Sequence, residues 1–153
     1  MRSSGDRSRH RDEQTGECTI EVKEALLSEI SPVQRLALAY APRRAQLATL
    51  ALLALDGRLA ACVRKGREPI VAQLRLAWWR DVLSKPAAEW PSGNMVLELL
   101  REWRDPSPLS ELAVGWEALL AEELGPEQIA EFCDARGAAF AQLAKQLNAD
   151  NSE

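Results

Sequence analysis

The sequence predicts an all-α fold, and three observations carry that expectation. No run alternates apolar and polar residues with period two, the mark of a half-buried strand. Apolar residues instead recur at helical spacing along most of the chain. Prolines stand at successive breaks (Pro32, Pro42, Pro69, Pro126), where a fixed φ and a missing N–H suit the first turn of a helix.

Taking the chain in order, residues 1–18 are Arg, Ser, Asp and Gly with almost nothing apolar, which predicts a disordered polar tail. No apolar stretch follows its arginines, so it does not read as a secretory signal. Residues 19–153 read as a single helical domain. A short helix is expected from Ile20 to Ile30, where Val22, Leu26, Leu27 and Ile30 share a face. Ser31 and Pro32 read as N-cap and first position of a second helix running toward Tyr40. From Pro42 to Lys65, Leu47, Leu50, Ala51, Ala54, Leu55, Leu59, Cys62 and Val63 occupy neighbouring faces, predicting a long, central, mostly buried helix. Gly66 ends it, and Pro69 opens a helix to about Ser84.

The stretch from Lys85 to Asn94, with Pro86, Pro91 and Gly93, reads as the largest loop. Met95 to Trp103 is amphipathic, and Asp105-Pro106-Ser107-Pro108 punctuates the chain. A further helix is expected from Leu109 to Leu124 around Trp116, closed by Gly125-Pro126. The last runs from Pro126 to about Leu147, with Ile129, Phe132, Cys133, Phe140, Leu143 and Leu147 on one side.

Composition narrows the function. At 153 residues and 46% hydrophobic content, the chain has the size and apolar share for one core. A net charge of -4 argues against nucleic acid as the main partner. Cys18, Cys62 and Cys133 are odd in number and far apart, which suggests reduced thiols in a cytoplasm rather than a disulfide framework or a metal site. His10, in the polar tail, leaves imidazole chemistry without a centre. The longest apolar run, Leu47 to Leu55, is interrupted only by Thr49 and falls short of the ~20 residues a bilayer needs. No transmembrane segment is therefore expected, and the localisation read from these features is cytoplasmic, at most peripheral to a membrane.

The densest stretch is Arg75-Leu76-Ala77-Trp78-Trp79-Arg80-Asp81. Adjacent tryptophans point about 100° apart on a helix, so one is expected in the core against the central helix and the other at a rim. Asp81 stands near the helix C-terminus, which disfavours a carboxylate, so it calls for a cationic partner, with Arg43, Arg44 and Arg58 as candidates.

This stretch is similar to the R-L-x-W-W-R-D motif of the squalene/phytoene synthase family. The likeness begins at Leu38-Ala39-Tyr40-Ala41-Pro42-Arg43-Arg44, continues through Ala51-Leu52-Leu53-Ala54-Leu55, which looks like A-L-Y-A-F, and includes Arg67-Glu68-Pro69. It covers roughly residues 35–147 and resembles the family's N-terminal half. The resemblance implies a partial isoprenoid-synthase-like helical bundle and a family activity of head-to-head prenyl diphosphate condensation, with Mg²⁺ held by aspartates on two helices. The family's first set, D-D-x-x-D, falls here on Ala60, Ala61 and Arg64, and its second belongs to a C-terminal half beyond this sequence. No catalytic residue and no metal ligand is therefore assigned, and no cofactor is expected. Three readings follow. One is a non-catalytic scaffold or assembly factor, a pseudoenzyme with Trp78, Trp79 and Asp81 as a structural motif. Another is a metal-free binder of prenyl diphosphate or anionic lipid through Arg64, Arg67, Arg75 and Arg80, since guanidinium groups grip phosphate bidentately. The third is a residual prenyltransferase needing a separate C-terminal half. In each case an apolar helical face is expected to join a second copy or a protein partner, with Leu47, Leu50, Leu55, Leu59 and Phe140 as contacts.

Overall fold

The computed structural model describes residues 20–65 and 68–149, and all regular structure among them is helical. The polar tail and Arg67 lie outside the described residues. The order is α1 (20–29), α2 (Pro32–Tyr40), α3 (Arg43–Lys65), α4 (Pro69–Leu83), a 3-10 turn (Ala87–Glu89), α5 (Met95–Arg101), α6 (Leu109–Ala118) and α7 (Pro126–Ala149).

Local sequence explains the starts. The Ser31 hydroxyl accepts from the Gln34 amide at 3.3 Å, and the Gln34 side chain accepts from the Ser31 amide at 2.9 Å, a reciprocal cap with Pro32 in the first turn. Asn94 caps α5, its Oδ1 accepting from the amides of Val96 and Leu97 at 3.1 and 3.4 Å. Gly93 just before it has φ of +83°, a left-handed turn that side-chain-bearing residues resist. Arg101 pins the loop by donating to the carbonyls of Ala87 and Pro91, both at 3.0 Å.

α3 is the axis of the packing. It touches α2, α4, α5, α6 and α7, and Leu50, Leu52, Leu55 and Leu59 are wholly buried. Burying each leucine stabilises the fold by about 1.5–3 kcal/mol. The stretch Arg43–Arg64, at mean hydropathy 1.4, is long and apolar enough to cross a bilayer by length and composition, which counting an uninterrupted run overlooks. Here neighbouring helices bury half of that stretch.

α4 sends Trp79 (7% exposed) into the core and leaves Trp78 at 45%. The two rings meet edge to face, centroids 5.0 Å apart, as the quadrupoles of paired rings favour.

Three expectations need correction. The sixth helix ends at Ala118 rather than Leu124, because the amides of Leu119, Leu120 and Ala121 turn back to the carbonyls of Trp116, Glu117 and Ala118. That tightened turn starts the reversal that lays α7 along α6, well before Gly125-Pro126. On α7, Ile129 and Cys133 are exposed, while Ala139 and Leu143 are buried and Phe132, Phe140 and Leu147 are half-buried. The α6 contact is made instead through small residues: a Cβ on Gly115 would lie 2.7 Å from Ala135 Cβ and 3.2 Å from Phe132 Cα. Finally, α7 packs on α3, so Leu50, Leu55 and Leu59 are buried within the chain and cannot be docking contacts, while Leu47 and Phe140 stay half-buried.

The two glycines near this contact should therefore respond with opposite sign. Gly115→Ala is expected to destabilise by about 1–3 kcal/mol, because backbone of α7 must move. Gly137→Ala, mid-helix with nothing within 4 Å of the added carbon, should stabilise by about 0.5–1 kcal/mol. Urea denaturation of both variants checks this, and changes of the same sign would contradict the packing.

Candidate functional site

Asp56 sits in the middle of α3 and is only 5% exposed. An ionised carboxylate taken from water demands partners, since the uncompensated cost runs to several kcal/mol. Trp116 of α6 donates its indole N–H to Oδ1 at 2.9 Å. Arg136 of α7 donates Nε to Oδ2 at 3.0 Å and brings Nη2 to 2.9 Å from the same oxygen. The guanidinium also lies over the Phe140 ring, 5.4 Å from its centroid, and Trp116 meets Phe132 edge to face at 4.6 Å. One carboxylate thus joins three helices.

Beside it opens a cavity of about 560 Å³ between the α1–α2 junction, α3 and the α6–α7 pair. Its wall includes Glu29, Ser31, Gln34, Ala60, Arg64 and Arg136. Glu29 is held by Arg58 through two contacts of 2.8 Å, and the third arm of Arg58 donates to Asn94 Oδ1 at 2.9 Å. Both acids on the wall are therefore already bound by arginine.

These residues do not fit the magnesium ion that the family resemblance implies. Mg²⁺ needs oxygen ligands in near-octahedral array. At the positions matching the aspartates, Ala60 offers the cavity a methyl group and Arg64 a cation, and Ala61 is not on the wall.

Of the arginines singled out in the sequence, Arg64 lines this cavity, where it stands with Arg136. Arg75 is exposed on α4 and acts on Cys62: burial pushes that thiol's pKa up, and the Arg75 charge partly offsets the push. Arg80 is engaged elsewhere, donating Nη1 to both Glu117 oxygens at 3.0 and 2.8 Å and Nε and Nη2 to Asp81 at 3.3 and 3.2 Å. Glu117 foremost, then Asp81, raise its pKa further and hold it charged. Asp81 accordingly takes its cationic neighbour Arg80, not Arg43, Arg44 or Arg58: it is exposed on α4 beside Arg80, and Arg58 is held by Glu29. Arg67 lies outside the described residues.

Sequence reasoning missed the Asp56–Trp116–Arg136 cluster. The signal was available: Asp56 is the lone acid of an apolar helix, and Arg136 is the sole cation between Arg104 and Lys145. Comparison with protein-family models, curated proteins and solved structures returns no match to this chain.

The cluster predicts strong coupling. Asp56→Ala, which strands Arg136 and the Trp116 N–H, and Arg136→Ala, which strands a buried carboxylate, should each cost about 2–4 kcal/mol, below the fully buried range because Arg136 reaches solvent. Asp56→Ala/Arg136→Ala should cost at least about 1 kcal/mol less than the two together. Additive losses in denaturant melts would show that the pair does not act as a unit.

Proposed function

We propose that this chain is a non-catalytic, partner-binding relative of the squalene/phytoene synthases, acting as a scaffold or assembly factor. The observation that carries the reading is an apolar stripe left open on α4: Ile70, Leu74 and Trp78, one turn apart, are all substantially exposed. Large exposed side chains in register on one helix face are unusual unless something covers them. The supporting chemistry is that of the cavity, where a carboxylate that could have faced a ligand is tied to Arg136 and Trp116, and where Ala60 and Arg64 stand in place of acids. Ionising an allylic diphosphate develops charge that such a wall does not stabilise through a metal.

A second reading has one observation in its favour. Arg64 and Arg136, with the Ser31 hydroxyl and the Gln34 amide, line a cavity large enough for a diphosphate. On that reading the chain binds a prenyl diphosphate or an anionic headgroup without metal, and Arg64→Ala removes the binding.

Incubating the purified chain with farnesyl diphosphate and magnesium should release no pyrophosphate above background. Metal-dependent release abolished by Arg64→Ala would overturn the non-catalytic reading. Saturable binding of farnesyl diphosphate in EDTA, lost in the same variant, would favour the second reading over the first.

A further inference from the structure

We infer that the α4 stripe receives α2 of a second copy of this chain, so that the protein assembles head to tail. The inference rests on the partner-binding reading above and names the occupant of its surface. On one side of α4 a groove of about 510 Å³ runs between Ile70, Leu74 and Ala77 and the far bank of Leu120, Ala121 and Glu131. Leu124 and Ile129, in the α6–α7 connection and the first turn of α7, are exposed as well.

Charge selects the occupant. Between Arg104 and Arg136 the sequence holds eight acids and no lysine or arginine. Of these, Glu131 lines the groove and Glu122, Glu123 and Glu127 are exposed, while Glu68 and the Arg80-paired Asp81 mark the two ends of the α4 stripe. An anionic membrane surface is repelled by such a bank. What fits is an apolar helix face on a basic segment.

The chain carries one. α2 exposes Val33, Leu36 and Tyr40 at helical spacing, with Tyr40 at 85%. From Ser31 to Leu55 there is no acid, and Arg35, Arg43 and Arg44 are exposed there. The two stripes also match in length, roughly 10–12 Å at ~1.5 Å rise per residue. In this head-to-tail arrangement the contact is heterologous, and copies add in rings or short rows; a reciprocal exchange of α2 across a two-fold axis uses the same two surfaces.

Sedimentation velocity on the 153-residue chain tests this. At tens of micromolar, the wild type should sediment as species larger than a monomer. Leu36→Glu and Leu74→Lys alter exposed side chains, so both should keep the helical circular dichroism of the wild type, and each alone should weaken association at least tenfold. Mixing them should restore a species of two chains, since each supplies the face the other lacks. A monomeric wild type, or an assembly that either variant leaves intact, overturns the inference. Those outcomes leave the non-catalytic reading to stand or fall on pyrophosphate release.

Discussion

The buried Asp56 carboxylate constrains everything around it. It occupies the centre of the helix that five others pack against, where an unpaired charge would not be tolerated. Its two oxygens are satisfied from different helices, Trp116 on α6 and Arg136 on α7. That requirement fixes where α6 and α7 lie against α3, and the close approach at Gly115 then sets how tightly those two pack together. A purely apolar interface would permit sliding. Two directed hydrogen bonds and an ion pair do not.

Much of the fold was legible because it rests on local rules. Ser31-Pro32 and Gln34 specify the start of α2, and Pro69 specifies that of α4, through backbone donors and fixed φ alone. Apolar density marked α3 as central. What was not legible depends on tertiary contact. The early end of α6 reflects the reversal that α7 requires, and the outward turn of Ile129 and Cys133 reflects an α6 contact made through glycine and alanine rather than large side chains. Periodicity counts large residues and overlooks faces built from small ones.

The candidate site divides the same way. Sequence reasoning placed Ala60 and Arg64 where the family's aspartates would fall, and the fold sets both on a cavity wall. It could not foresee that Arg80 would be taken by Glu117, or that Arg75 would stand apart beside Cys62, since both facts depend on how α4 lies against α6 and α3. Arginines close in sequence were therefore dispersed, while Arg64 and Arg136, far apart in sequence, were brought to one wall. The α4 stripe carries the same lesson: the tryptophan pair drew notice as a motif, but only the fold shows Trp78 joining Ile70 and Leu74 in the open.

Held by Trp116 and Arg136, the Asp56 carboxylate acts as a structural latch. The Trp116 indole N–H reports on it directly, because its acceptor is that carboxylate. In a ¹⁵N-resolved spectrum, the Trp116 indole proton should exchange slowly with water and keep its position when magnesium is raised to millimolar concentration. An indole signal that exchanges like a free side chain, or that moves in a saturable way with magnesium, would contradict the account.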